Sequence, residues 1–153
     1  MLTQPPFTPL GTTILLRFPK IWKRIGELVQ KEKFWSVREV RRELENNCPF
    51  AHIDNWVRAN RSVFRKPTAQ ELDVVSQIFQ RKEFLGLVKR ANVRKGLPVA
   101  DPFIVAAARV HKASVVTREY FKAGGARIPT VCKEFDVKCI NVEQFLAREK
   151  LKY

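Results

Sequence analysis

The sequence is poor in the residues that build disulfide frameworks and zinc sites. Its 153 residues include two histidines and three cysteines. The cysteines, Cys48, Cys132 and Cys139, are odd in number and form no C-x-x-C pair, so we expect a reduced, cytoplasmic protein in which they are small buried hydrophobic residues. His52 and His111 have no sequence neighbours that suggest a general base. A histidine-rich zinc site is not expected, and oxygen ligands for Mg²⁺ or Mn²⁺ stay open.

Long hydrophobic runs are also missing. The longest apolar run, residues 103–108, has six residues, whereas roughly 20 are needed to span a bilayer. The first 20 residues contain no basic stretch ahead of an apolar one, and Pro5, Pro6 and Pro9 interrupt them. We therefore expect neither a membrane span nor a signal peptide.

Acidic residues are scarce compared with basic ones. The chain has 29 Lys and Arg against 15 Asp and Glu, a formal net charge of +14. Residues 1–66 and 67–153 contribute +7 each, so the charge does not reside in a tail. A surface of this kind attracts polyanions, which makes nucleic acid or an acidic membrane face the first partner to consider. A generally solvated basic surface is the alternative.

The hydrophobic and aromatic contents, 45% and 10%, suffice for one core, and the length predicts one domain over residues 1–153. Short apolar runs alternate with helical patterns, which favours an α/β fold with a parallel sheet. Capping signals are Ser36 with Glu39, Thr68 with Glu71, Asp101 before Pro102, and Asn141. The predicted helices cover residues 19–32, 36–46, 68 toward 88, 101 onward, 129–135 and 142–150, and the predicted strands 34–37, 115–117 and 137–140.

Several acidic residues fall where such a sheet places ligands, at the carboxyl ends of strands and the helix starts beside them. Glu119 closely follows strand 115–117, Asp101 begins the preceding helix, and Glu39 and Glu43 share one helix face. Converging carboxylates repel one another unless a divalent cation lies between them. That cation could act as a Lewis acid on a phosphate and generate hydroxide from bound water. Ordinary solvated carboxylates are the alternative interpretation.

Five segments together carry a family resemblance: SVREVRRELE, WVRAN, ADPFIVAAA, VVTREYF and RIPTVCKEFDVKCINVEQFL. Over roughly residues 18–147 the chain resembles the PIN-like domain family related to VapC-type toxin ribonucleases, and in particular its branch with an IP-x-VC…C-I-N ending. The resemblance implies a three-layer α/β/α sandwich with a central parallel sheet. It also implies an acidic Mg²⁺ or Mn²⁺ site, hydrolysis of RNA phosphodiester bonds, a homodimer and a neutralising antitoxin protein.

Position by position, the resemblance assigns the metal ligands to Glu43, Asp101 and Glu119, which would also orient the attacking water. Thr117 matches a small hydroxyl residue near the metal in relatives. The remaining positions implied by the resemblance are phosphate contacts, namely Lys89, Arg90, Arg94, Lys95, Arg118, Lys122 and Arg127.

The chain departs from this family at its beginning. PIN-like domains start with a strand that ends in a metal-binding Asp, but no acidic residue precedes Glu27 here, and residues 1–17 form an atypical N-terminal segment. Either the start is truncated or altered, or the protein is a derived member that has lost one ligand. Two functions therefore stay open: a metal-dependent ribonuclease, impaired by that loss, and an inactive PIN-like module that binds RNA or a protein partner through its basic surface.

Overall fold

The structure is a computed structural model that describes residues 19–47, 51–87 and 99–151. These residues form an α/β fold that is mostly helical. The α-helices are α1 (Pro19–Gln30), α2 (Arg38–Asn47), α3 (Ala51–Ala59), α4 (Ala69–Gln80), α5 (Asp101–Val110), α6 (Ile128–Glu134) and α7 (Val142–Arg148). The strands are β1 (Ser36–Val37), β2 (Phe64–Arg65), β3 (Val115–Thr117) and β4 (Cys139–Asn141), and short 3₁₀ helices cover Arg61–Val63 and Lys82–Leu87.

The strands form two short parallel pairs. Ser36 lies opposite Phe64 in the first pair, and Val115 lies opposite Cys139 in the second. Parallel neighbours need a crossover connection, which α2 and α3 provide for the first pair and α6 for the second. The predicted α/β class with parallel strands is confirmed. One continuous central sheet, as in a PIN-like sandwich, stays a prediction.

Helix α5 is the centre of the hydrophobic core. Pro102 and the run from Ile104 to Ala108 are buried, so the helix is enclosed by neighbours on most sides, as expected for a core helix. It packs against α4, α6, β1 and β3. The small alanine side chains allow these elements to approach closely, and residue 101, at the start of α5, is thereby held in a fixed position.

Most of the predicted elements are present, with small shifts at their ends. Strand 115–117 is found as predicted, and α1 buries Ile21, Ile25 and Leu28 of the predicted apolar stripe. The helix that begins after Thr68 ends at Gln80, and a 3₁₀ helix follows it. The predicted extension of one α-helix toward residue 88 is therefore wrong. No helix in the part of the chain that the structure describes is long and apolar enough to cross a membrane.

The capping predictions differ in outcome. Asn141 caps α7 through a reciprocal box with Gln144. The Thr68 hydroxyl accepts from the backbone N–H of Glu71 at 3.2 Å, which confirms that cap. The helix predicted to begin at Ser36 begins at Arg38 as α2, and Ser36 pairs as a strand residue. An oxygen of Glu39 accepts from the guanidinium of Arg38 at 3.0 Å.

Four helices end in the same way, although the chain has only six glycines. In each case a residue with positive φ follows the last turn, and the next N–H bonds a carbonyl five residues earlier. An example is Lys112 at φ 51°, followed by the bond from Ala113 N to Ala108 O at 2.8 Å. This is the Schellman ending, in which glycine usually occupies the left-handed position. In the other three helix endings, the left-handed residues are Glu32, Asp136 and Lys150.

Replacing Lys112 by glycine should therefore stabilise the protein by about 0.5 to 1 kcal/mol. The left-handed conformation costs a residue with a Cβ atom roughly 1 to 2 kcal/mol, and the larger unfolded-state entropy of glycine offsets part of the gain. Urea unfolding measures the difference. Lys133→Gly within α6 is the control and should destabilise by about 1 kcal/mol. A Lys112→Gly variant that is less stable than the wild type would contradict the prediction.

Candidate functional site

The predicted ligand Glu43 lies on α2 and contacts the segment that leads into α5. One of its carboxylate oxygens accepts a hydrogen bond from the backbone N–H of Ala100 at 2.9 Å. The side chain is half-buried. Because Ala100 immediately precedes Asp101, this bond brings two of the predicted acidic residues to the same place, although 57 residues separate the bonded groups in sequence.

Asp101 is the first residue of α5, and Pro102 follows it. The prediction that Asp101 is the N-cap is wrong by one position, because Ala100 occupies that position with helical backbone angles. The Oδ1 atom of Asp101 is buried. A carboxylate in the first turn is stabilised by the partial positive charge of the helix N-terminus.

The direction of β3 relative to α5 follows from the short connection between them. Residues 111–114 are the whole connection between the helix and the strand, and the left-handed Lys112 reverses the chain within it. Because α5 and β3 pack against each other after so short a turn, we infer that they run in opposite directions. The carboxyl end of β3, at Thr117, then lies at the end of the fold that also carries Asp101.

Thr117 and Glu119 organise the connection from β3 to α6. Thr117 is buried, and its hydroxyl accepts from the backbone N–H of Glu119 at 3.1 Å. One carboxylate oxygen of Glu119 accepts from the N–H of Ile128, the first residue of α6, at 2.8 Å. Glu119 therefore caps a helix start that has no cap from its own N-cap residue, Arg127.

The three predicted metal ligands do not form one cluster. In the ranges 19–47, 51–87 and 99–151, no group of three or more His, Cys, Asp or Glu side chains lies close enough to hold a metal ion. Glu43 approaches the start of α5, whereas the carboxylate of Glu119 lies at the start of α6. The structure thus brings Glu43 to the segment that leads into Asp101, and it holds one carboxylate oxygen of Glu119 at the start of α6.

The predicted phosphate contacts fall into two groups. Arg118, Lys122 and Arg127 are exposed and lie in the connection from β3 to α6. The second group lies outside the described residues, and it comprises Lys89, Arg90, Arg94 and Lys95. The described group lies in the same connection as Glu119, after the carboxyl end of a parallel strand, where α/β proteins bind their ligands.

A further polar pair, His111 with Glu71, has no signal in the sequence. The Nε2 atom of His111 lies 2.8 Å from a carboxylate oxygen of Glu71, whose side chain is only 5% exposed. The imidazole ring also contacts the Trp35 ring edge-on, with the centroids 5.3 Å apart. His111 therefore does have a carboxylate partner. The two residues are 40 positions apart, and no local spacing could have revealed the contact.

Replacing His111 by alanine should destabilise the protein by about 1 to 3 kcal/mol, because the buried Glu71 oxygen loses its hydrogen-bond partner. Chemical denaturation of both proteins measures the loss. Arg58→Ala is the matched control, since it also removes a carboxylate partner, Asp54 at 2.8 Å, but on the exposed surface, where such pairs contribute little. Equal stabilities of the His111 and Arg58 variants would contradict the assigned role.

Two cysteine side chains, one on α6 and one on β4, lie next to each other. Cys132 is buried on α6, and Cys139 is half-buried on β4. A hydrogen bond between the two thiols raises the pKa of Cys132 and lowers the pKa of Cys139. Both belong to the hydrophobic core or pack against it, as the sequence predicts. Cys48 lies outside the described residues.

The fold and these contacts define an α/β protein whose acidic and basic residues meet at strand and helix ends. The family model of DUF4411, a domain of unknown function, matches residues 15–153. The chain belongs to this family. A comparison with curated proteins found no match, and a comparison with solved structures found none either.

Proposed function

We propose that the protein is a PIN-like, Mg²⁺- or Mn²⁺-dependent endoribonuclease of the VapC type. The observation that carries the proposal is the 2.9 Å hydrogen bond between Glu43 and Ala100 N, which holds a carboxylate from α2 beside Asp101. The net charge of +14 attracts a polyanionic substrate. A three-layer sandwich, a homodimer and a neutralising antitoxin protein belong to the same proposal and rest on the sequence resemblance.

The donor set suits a magnesium ion. Mg²⁺ keeps several waters in proteins and is commonly bound by one or two carboxylates together with substrate phosphates. Glu43 and Asp101 supply that number. When bound, such an ion polarises a phosphoryl oxygen and makes water a better nucleophile. The amide of Ala100 fixes the orientation of the Glu43 carboxylate, and the burial of α5 holds Asp101 in place.

The contacts of Glu119 support a structural role beside the metal-binding role that the resemblance implies. Its carboxylate caps α6 through Ile128 N, and its own N–H is held by Thr117. In the proposal, Glu119 and Thr117 position the β3–α6 connection and its cations Arg118, Lys122 and Arg127 for contact with the phosphates of RNA.

A second candidate function is an inactive PIN-like module that binds RNA or a protein partner through the basic surface. The observation in its favour is that no group of three metal-binding side chains occurs within the described residues. Binding of RNA would then need no metal ion. Its affinity would fall steeply as the salt concentration rises, and chelators would not affect it.

RNA cleavage with Mn²⁺ and with EDTA separates the two functions. The full chain is incubated with a mixed-sequence labelled RNA, and the products are resolved on a denaturing gel. A ribonuclease cleaves only when the ion is present. A binding module retards the RNA on a native gel in both conditions and leaves it intact. Cleavage that persists in EDTA would contradict the proposed metal dependence.

A further inference from the structure

Two aromatic side chains lie exposed next to each other in the connection between β3 and α6. Tyr120 is 77% exposed and Phe121 is 53% exposed. Burial of aromatic rings contributes strongly to folding and binding, so two neighbouring rings in water indicate a surface that makes contacts. We refer to residues 118–122 as the aromatic segment.

Hydrogen bonds fix both ends of the aromatic segment. At its start, Glu119 is held by Thr117 and by Ile128 N. At its end, the Thr130 hydroxyl donates to the carbonyl of Lys122 at 2.8 Å. The rings are therefore presented by a backbone that is already ordered, and binding of a ligand to them costs little conformational entropy.

The turn after the segment also has a defined geometry. The N–H of Gly125 bonds the Lys122 carbonyl at 3.0 Å. Gly124 adopts φ 65°, a left-handed conformation that suits glycine. A Cβ atom at residue 125 would lie 3.1 Å from the Lys122 carbonyl oxygen. Both glycines thus permit a tight turn that returns the chain to Arg127 and the start of α6.

A cation lies beside one of the rings, and three more are exposed in the same connection. The ammonium group of Lys133, on α6, lies 5.1 Å from the centroid of the Phe121 ring. Arg118, Lys122 and Arg127 are exposed in the same connection. The acidic residue among them, Glu119, has a carboxylate oxygen engaged by a backbone N–H. Aromatic rings flanked by cations are the combination with which proteins bind single-stranded nucleic acids: bases stack on the rings and phosphates contact the cations.

We propose that Tyr120 and Phe121 form a stacking platform for the unpaired bases of single-stranded nucleic acid, with RNA as the strand that the proposed ribonuclease function requires. The inference deepens that function and rests on it for the choice of RNA. A base-paired duplex hides the faces of its bases, so it engages the cations but not the rings. The aromatic segment follows the carboxyl end of β3. An RNA strand that stacks on its rings therefore lies at the end of the fold that carries Asp101.

Fluorescence anisotropy with a short, labelled uridine oligonucleotide tests the platform. All titrations contain EDTA, so that neither cleavage nor metal binding contributes. Because each stacked base contributes roughly 5- to 150-fold to affinity, the Tyr120→Ala/Phe121→Ala double variant should bind single-stranded RNA at least about 25-fold more weakly. Tyr120→Phe, which keeps the ring, should bind as the wild type does. The wild type and the double variant should bind a duplex RNA with equal affinity.

Leu72→Ala/Leu85→Ala is the matched control, because these residues are also large, hydrophobic and exposed, at 45% and 51%. It should leave the affinity for single-stranded RNA unchanged. A single-stranded DNA of matching sequence shows whether the platform distinguishes the sugar. Thermal melting of the variants confirms that they are folded.

The outcomes separate this inference from the ribonuclease proposal. Loss of binding in the double variant, with no Mn²⁺-dependent cleavage by the wild type, supports the platform and removes the nuclease. Equal affinity of the wild type and the double variant overturns the platform, whatever the cleavage assay shows. Absence of single-strand binding by the wild type also overturns it, and the exposed rings would then point to a protein contact.

Discussion

Replacing Asp101 by asparagine should reduce Mn²⁺-dependent RNA cleavage by about 100-fold or more, a loss typical of removing one preorganised electrostatic group. The substitution keeps the shape of the side chain and removes its charge. Affinity for a hard cation follows the number of charged oxygens, so the proposed site loses half of its described carboxylate charge. The rate constant for cleavage of a labelled RNA measures the effect.

The stability of the Asp101→Asn variant should change little. A carboxylate in the first turn of a helix contributes about 0.3 to 1 kcal/mol through the helix dipole, so the variant should remain folded. Asp73→Asn is the matched control: it makes the same chemical change at an exposed position of α4. If the Asp101 variant cleaves RNA as fast as the Asp73 variant, the proposed site is wrong.

The Glu43→Gln variant tests whether Glu43 binds the metal ion or only links α2 to α5. The carbonyl oxygen of glutamine can still accept the hydrogen bond from Ala100 N, so the link between α2 and α5 persists while the charge is lost. Glu43→Ala loses both. We expect both variants to lose Mn²⁺-dependent cleavage, and only the alanine variant to lose stability, by about 1 to 3 kcal/mol, because the amide of the buried Ala100 loses its partner.

The second large effect is a loss of stability, expected when a side chain at the centre of the core is truncated. Ile104 on α5 is fully buried, at 0% exposure, and it lies one helical turn after Asp101. Truncation to alanine removes buried methyl groups and leaves a cavity, which should cost about 2 to 5 kcal/mol. In a chain of this size that corresponds to a fall in Tm of roughly 5 to 15 °C. Calorimetry or circular dichroism measures the shift.

Leu72→Ala is the control for this substitution, because Leu72 is a similar side chain that is 45% exposed. Surface replacements of this kind usually change stability by less than about 0.5 kcal/mol. If the Ile104 variant were as stable as the Leu72 variant, α5 would not be the centre of the core. The proposed site depends on that arrangement, since α5 holds Asp101.

The elements with strong local signals could be predicted from the sequence. The run Val115 to Thr117 forms β3 as predicted, and Asn141 caps α7, because a cap is a bond between residues three apart. Where two local signals compete, the sequence is a weaker guide. Ser36 and Glu39 have the spacing of a capping box, but pairing of β1 with β2 holds Ser36 in a strand.

The candidate site was only partly visible in the sequence. Glu43, Asp101, Thr117 and Glu119 were identified, but their partners were not. Glu119 is predicted as a metal ligand, and the sequence does not show that one of its carboxylate oxygens bonds the amide of Ile128. The backbone amide that a carboxylate can bond depends on the path of the neighbouring loop. Here the glycine-containing connection before α6 places the N–H of Ile128 within hydrogen-bonding distance of Glu119.

By itself, the sequence determined the strong positive charge, the α/β alternation and most element positions, because these depend on composition and on hydrogen bonds between near neighbours. Only the tertiary structure decided that Glu43 meets the residue before Asp101 and that His111 meets Glu71. Those contacts join residues 57 and 40 positions apart. They exist because α5 is buried among its neighbouring elements. The direction in which those elements pack against α5 determines which side chains come into contact, and no local sequence pattern encodes it.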